Sequence, residues 1–338
     1  MAKDLSQFLQ EVRFAVGATD DGQRLDHVLI DKVHWRSRTD IQSRIKRGKV
    51  TVDGKTCKPA TRVHQGQEIT VVVEASDLPD QDPASIELMI LEENADLVAL
   101  NKQAGLVVHP TGRHVYDTLM NALFLRYREN GEAARGVEPH VVHRLDRNTS
   151  GVIVVAKNFA AKRDLAEQFE NRRTEKSYLA LVEGVVEPDR GVIDADIGSD
   201  TEAEIRLKMK VSPGGLPSLT AYEVVARFAD SSLVRVRPKT GRQHQIRVHL
   251  AYIGHPIFCD PLYGDPRSLG LADEEHPRLE RQALHAESLR FQNPGDNHRH
   301  EICAPLALDM EEIRQALAAG KPLAKRRDIQ SARWNYHS

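Results

Sequence analysis

Apolar residues recur at helical spacing from Arg24 to Val33, where Leu25, Val28, Leu29 and Val33 share one face. Ile41 and Ile45 mark a second short helix between Arg38 and Arg47, which Gly48 ends. The period then falls from about 3.6 to 2. Lys49 to Lys55 alternates apolar and polar positions up to an Asp53-Gly54 turn, and Glu68 to Val73 supplies another strand. Two helices followed by small strands predict a compact unit over residues 12–75. Glu74 to Pro83 holds four acids and two prolines without apolar periodicity, so a linker is expected over residues 76–85. A larger domain, 86–325, follows. Its predicted strands are Leu97 to Leu100, Val152 to Ala156, Tyr178 to Glu183, Tyr222 to Ala226 and Leu233 to Val236. Its predicted helices are Thr118 to Arg128 after an Asp117 cap, Phe159 to Arg172, and a last one after Asp309 with Gly320 beyond its end. Strands and helices interleave irregularly, which predicts a mixed α+β fold and not a doubly wound parallel sheet. Residues 326–338 read as a basic, mobile tail.

Composition excludes several classes. With 338 residues and 40% apolar content the chain can bury a core, and 21 Gly with 16 Pro is ordinary, so fibrous and disordered classes drop out. The longest strongly apolar run, Val152 to Ala156, is far short of the ~20 residues that a bilayer span requires. The amino terminus shows neither an export nor a transit pattern. Cys57, Cys259 and Cys303 are far apart and without Cys-x-x-Cys spacing, so a reduced, cytoplasmic protein without a disulfide framework is expected. Net charge is −2, yet Lys32 to Arg62 carries ten basic residues against Asp40 and Asp53, a local +8. Such a segment is either a solvated helix face or an attractor for a phosphate backbone.

The sharpest local signal is His143-Arg-Leu-Asp-Arg-Asn-Thr-Ser-Gly151, running directly into the apolar strand Val152 to Ala156. A polar loop feeding a buried strand places a carboxylate, Asp146, at a domain surface on a rigid support. The segment resembles the catalytic motif of the RluA family of RNA pseudouridine synthases, His-Arg-Leu-Asp-x-x-Thr-Ser-Gly, at every specified position. Further segments resemble the same family in the same order: Leu100-Asn-Lys-Gln-Ala-Gly-Leu-Val-Val-His-Pro110, with Gln103 where proline is common, Lys176-Ser-Tyr-Leu-Ala-Leu-Val-Glu-Gly184, Lys239-Thr-Gly-Arg-Gln-His-Gln-Ile-Arg-Val-His-Leu250, Pro256 to Gly264, and Leu284-His-Ala286. Gly22 to Val73, with Arg24-Leu-Asp and Gly48-Lys-Val-Thr-Val-Asp-Gly54, resembles the S4 RNA-binding domain.

The resemblance implies a catalytic domain with a mixed, largely antiparallel sheet, preceded by a small S4-like α+β domain. It implies Asp146 as the catalytic aspartate, Tyr178 as the active-site tyrosine, and Arg242 as the arginine paired with the aspartate. Arg247 is left as a phosphate contact or surface cation. His143 and Arg144 belong with substrate binding, Arg144 as a side chain that fills the gap left by a flipped nucleotide. Arg38, Arg44, Lys46, Arg47 and Lys49 are the expected phosphate contacts of the S4 unit. The reaction implied is isomerisation of uridine to pseudouridine, with large-subunit ribosomal RNA or a precursor particle as the partner. Transfer RNA and a non-catalytic ribosome-assembly role are the alternatives. His298-Arg-His300 with Cys303, and His244 with His249, lack metal-ligand spacing, and no phosphate loop is present, so neither metal nor nucleotide cofactor is expected. A monomer is expected, with no membrane association.

Overall fold

A computed structural model describes residues 11–32, 38–72, 82–110, 114, 116–203, 208–272, 278–296 and 298–328. Val33, most of the expected linker and the last ten residues lie outside them. The chain divides into two compact units, residues 1–87 with 107–135 and residues 88–106 with 136–337.

In the first unit, β1 (Glu11–Ala15), α1 (Leu25–Lys32) and α2 (Arg38–Lys46) precede β2 (Val50–Val52), β3 (Lys55–Thr56) and β4 (Glu68–Val72). The strands form an antiparallel sheet in the order β1-β4-β2-β3. Its core is assembled from both helices and the sheet: Leu25, Val28 and Leu29, then Ile41 and Ile45, against Val50, Ile69 and Val71. Asp26 is fully buried at the start of α1 and is held by a bidentate pair with Arg24 at 2.9 and 3.0 Å and by Gln42 at 2.8 Å. Burial resists its ionisation, but those hydrogen bonds keep the carboxyl well below the usual range. They tie α1 to α2.

The second unit begins with β5 (Ile90–Glu93) and β6 (Leu97–Lys102). The helix α3 (Leu119–Glu129) groups instead with the first unit, against the turn at Pro83–Ser85. Its cap is Thr118, which accepts from the Asn121 amide in a reciprocal capping box. Asp117, the expected cap, is 2.6 Å from His114 Nδ1 instead. Then follow β7 (His140–Val141), β8 (Ser150–Ala156), α4 (Phe159–Glu170), β9 (Glu175–Glu183), β10 (Arg190–Asp194), β11 (Ile197–Ser199), β12 (Met209–Val211), β13 (Leu219–Arg227) and β14 (Ser231–Pro238). The chain continues with α5 (Gln245–Tyr252), β15 (Arg267–Leu271), β16 (Leu284–Gln292), β17 (Arg299–Cys303), α6 (Leu308–Ala318) and β18 (Leu323–Asp328).

A ten-stranded sheet in the order β10-β13-β14-β9-β16-β8-β6-β5, with β17 on β16 and β7 on β8, carries this unit. Every pairing is antiparallel except β16 with β8. The mixed α+β architecture with a largely antiparallel sheet is thus the one expected. The tail is a correction: residues 323–328 form β18 on β15, so regular structure runs past residue 325. No helix among the described residues is long and apolar enough to cross a membrane.

At the parallel junction Gly151, with φ +108°, faces Ala286. A Cβ there would sit 2.1 Å from the Ala286 carbonyl oxygen. The absence of a side chain at 151 lets β16 lie beside β8, and so fixes the loop that precedes β8.

Candidate active site

The loop between β7 and β8 carries Asp146 and is held from below. The Arg147 carbonyl accepts from Gly105 N–H at 2.9 Å and from Lys102 Nζ at 2.9 Å. Lys102 is fully buried and also donates to the Gln103 and Leu106 carbonyls, at 2.8 and 2.9 Å, so all three ammonium protons are used. Burial and the nearby Arg281 bring its pKa down to about 7. On the other side of the loop Arg281 donates to the Asn148 carbonyl and Ser150 Oγ, both at 3.1 Å, and pairs with Asp309 in the first turn of α6 at 2.6 and 2.8 Å. Asp309, expected at the start of the last helix, therefore ties that helix to the loop that carries Asp146.

Asp146 keeps a quarter of its side-chain surface open to a cleft of about 740 Å³ whose lining includes Arg144, Lys176, Tyr178, Arg242 and His244. Arg247 Nη1 donates to Asp146 Oδ2 at 3.3 Å. The other edge of the guanidinium makes a bidentate pair with Asp260, Nε to Oδ2 at 2.7 Å and Nη2 to Oδ1 at 2.8 Å, and its Cζ lies 5.0 Å from the Tyr263 ring centre. Asp260 is itself fully buried and accepts the Leu262 amide at 3.0 Å. Burial works against charge on Asp146, but the His244 ring when protonated at acid pH, and the Arg247 and Arg144 guanidiniums at every pH, outweigh it and hold its carboxyl below the ordinary value. The carboxylate is ionised at neutral pH.

Two expectations about the arginines are corrected here. The arginine on Asp146 is Arg247, in the first turn of α5 and only 2% exposed, so it is neither a surface cation nor a phosphate contact. Arg242 lies before the helix, half-buried at the cleft rim, and its Nε donates to the Pro217 carbonyl at 3.3 Å. The reason is helical direction: once α5 begins at Gln245, the residue at 247 turns inward to Asp260, while 242 stays in the approach to the helix.

Tyr178 is half-buried on β9 and lines the cleft. Burial and the Asp146 carboxylate push its phenol up, so it stays protonated and can serve as a donor or a stacking face. His143 also lines the cleft, half-buried, and is held there by its neighbours. Its Nε2 accepts the Val154 amide at 2.9 Å, and its ring stacks on Phe169 at 4.6 Å between centres. Burial, with Lys176 nearby, lowers its pKa to about 3, which keeps it neutral as a fixture of β8. Arg144 is exposed at the cleft edge, consistent with reaching a nucleic acid. His244 and His249 diverge: His244 Nδ1 is 2.8 Å from Tyr263 Oη, and His249 sits between Thr220 Oγ1 and the Ala195 carbonyl at 2.8 and 2.9 Å. Asp260 and Tyr263 stand in the Pro256 to Gly264 segment with no role that the sequence assigns; only the pairing in space reveals one.

In the first unit α2 exposes Arg38, Lys46 and Arg47, and Lys49 is half-buried. Arg44 is 4% exposed and bonds Asp40 at 2.8 Å, one turn earlier. Its expected role as a phosphate contact gives way to an intrahelical ion pair.

Residues 96–252 match the family described as RNA pseudouridylate synthase, and residues 23–69 match the S4 domain. An uncharacterized RNA pseudouridine synthase of Bacillus subtilis is 34% identical over 305 residues, which are 90% of this chain and 97% of that protein. Ribosomal large subunit pseudouridine synthase D of Pseudomonas aeruginosa is 36% identical over 314 residues, 90% of this chain and 94% of its own. Among solved structures, human RNA pseudouridylate synthase domain containing 4 superposes with a TM-score of 0.55 at 27% identity, covering 71% of this chain and 95% of that one. With the family motifs in order, an ionised aspartate in the cleft and relatives matched over nearly their whole length, the chain belongs to the RNA pseudouridylate synthase family and is an RNA pseudouridine synthase with an S4 domain.

Proposed function

We propose that the protein isomerises specific uridines of large-subunit ribosomal RNA, with Asp146 as the reacting carboxylate. The observation that carries this reading is the partly open, ionised Asp146 held by the buried Arg247 in a cleft. A carboxylate there can attack or stabilise the ribose carbon as the C–N bond to the base breaks, and can remove a proton later. Tyr178 supplies a flat face and a retained phenolic proton for the base. A stacked uridine cannot reach Asp146, so the nucleotide turns out of its helix at a cost of a few kcal/mol, and the exposed Arg144 guanidinium takes the vacated space. The ribosomal assignment rests on relatives named as large-subunit pseudouridine synthases. The S4 unit supplies RNA affinity through Arg38, Lys46, Arg47 and Lys49.

The test is nucleotide-resolution mapping, by carbodiimide adducts and primer extension, of unmodified ribosomal and transfer RNAs and of precursor particles treated with wild type or Asp146→Asn. New stops in ribosomal RNA that vanish with Asp146→Asn, while RNA affinity stays within a few-fold, are expected. Stops confined to transfer RNA would overturn the substrate, and turnover by Asp146→Asn would overturn the mechanism.

A further inference from the structure

His244 precedes α5 in the left-handed region, φ 53° and ψ 18°, which side chains bearing a Cβ rarely adopt. Its carbonyl still accepts a helical hydrogen bond from Val248 N–H at 2.9 Å. The imidazole forms part of the cleft wall that also carries Asp146.

The tautomer of this ring follows from its neighbour. Tyr263 Oη accepts the N–H of Met209 on β12 at 2.9 Å and lies 2.8 Å from His244 Nδ1. Burial pushes the Tyr263 phenol up, so the oxygen keeps its proton. A hydroxyl that already accepts from an amide has its proton to give, and Nδ1 is the neighbour within reach of it. With the hydroxyl proton given to Nδ1, His244 carries its own proton on Nε2. Burial and Arg247 lower the imidazole pKa to about 4, so the ring is uncharged at neutral pH. Among the described residues Nε2 has no hydrogen-bond partner. In that tautomer an oriented, neutral donor stands in the wall of the reaction cleft without a protein acceptor among the described residues.

We propose that His244 donates a hydrogen bond from Nε2–H to a carbonyl oxygen of the uracil as the glycosidic bond breaks. This rests on uridine isomerisation taking place in this cleft. When the C1′–N1 bond breaks, its electron pair leaves with the base and spreads onto O2 and O4, while the Asp146 carboxylate compensates the electron-poor C1′. The base then turns, a C5–C1′ bond forms with a π pair of the ring, the C5 proton is lost and N1 takes one up, so no atom is gained or lost. The charge that develops on the uracil oxygens is what a preoriented donor stabilises most. Neutrality suits such a donor, because an imidazolium would pair with Asp146 and quench the carboxylate, a place that Arg247 already fills without blocking the cleft side.

Single-turnover rates on RNA carrying uridine, 2-thiouridine or 4-thiouridine at the mapped target test this, because sulfur is a poorer hydrogen-bond acceptor than oxygen. His244→Ala is expected to slow the reaction on uridine by about 100-fold at unchanged RNA affinity. One of the two thio substitutions is expected to slow wild type but not to slow His244→Ala further. His244→Gln, whose amide can present an N–H near the Nε2 position, should recover part of the rate. Nitrogen NMR of the full chain should show the His244 proton on Nε2. A His244→Ala rate within about threefold of wild type, thio effects equal in both proteins, or a proton on Nδ1 would each overturn the proposal. Wild type without product on any RNA would instead defeat the isomerase reading on which it rests.

Discussion

Arg247 divides its hydrogen bonds between two acids of different exposure, and that division sets the state of Asp146. Nε and Nη2 are committed to the fully buried Asp260, leaving Nη1 to reach Asp146 at 3.3 Å. Asp260→Asn removes half of a charge-assisted bidentate pair and lets the guanidinium drift, worth about 2 kcal/mol or some 30-fold in rate. The sign of its pH effect follows from the depressed carboxyl of Asp146. In the proposed mechanism the carboxylate is the working form, so activity is expected to fall as pH falls through its pKa, and a less well-placed Arg247 raises that pKa. The acid limb of the single-turnover profile should move to higher pH in Asp260→Asn, and an unmoved limb at reduced rate would show that Asp260 does not act through Asp146. The motif Lys239 to Leu250 displays both Arg242 and Arg247, and spacing alone does not say which faces the aspartate. The deciding fact is Asp260, more than ten residues away in sequence and adjacent only after folding. His143 lines the same cleft, and what fixes its ring there is the Val154 amide and the Phe169 ring, neither of which a local window around it contains.

Among the elements, the junction of β8 and β16 is the one whose geometry a single residue controls. Gly151→Ala would drive a methyl into the Ala286 backbone at a φ of +108°, with β16 unable to move because it also pairs β9 and β17. A destabilisation of about 3 kcal/mol is expected, read as a lower denaturant midpoint together with lost activity, since the catalytic loop enters β8 at that residue. Full stability in this variant would mean that the close approach is not needed. Elements are legible in the sequence where a single period dominates and obscure where buried positions are polar. The strand Val152 to Ala156 is visible because it is apolar without interruption, and β9 for the same reason over Tyr178 to Val182. By contrast α5 buries Gln245, Arg247 and His249 along with Ile246 and Leu250, so its inward face is partly polar and shows no amphipathic period. β16 escapes a reading of the sequence because Glu287 and Arg290 break its apolar pattern; Glu287 is satisfied by Arg235 from β14, at 2.7 and 2.8 Å, a pairing no local window contains. Short strands such as β10 and β18 depend on partners distant in the chain, and the first three residues of the expected tail join β18 because β15 offers an edge.

At the scale of the molecule, a net charge of −2 supplies no general attraction to RNA, so affinity must come from local patches of exposed cations. The +8 segment from Lys32 to Arg62 overstates that supply, because charge counted along a chain ignores internal pairs such as Arg44 with Asp40. Exposure separates the cations of α2. Lys46 and Arg47 are exposed at its end, where removing either costs little stability, whereas Arg44 is buried among the residues that hold α2 on its sheet. The double variant Lys46→Ala, Arg47→Ala should therefore flatten the dependence of log affinity on log salt by about 2 without lowering Tm. Arg44→Ala should do the opposite, leaving the slope near wild type and lowering Tm. Titrations of the mapped RNA target between about 50 and 200 mM salt, beside melting curves for the three proteins, separate these outcomes. A slope that falls for Arg44→Ala and not for the double variant would return Arg44 to the RNA interface and make its pair with Asp40 a contact that RNA breaks on binding.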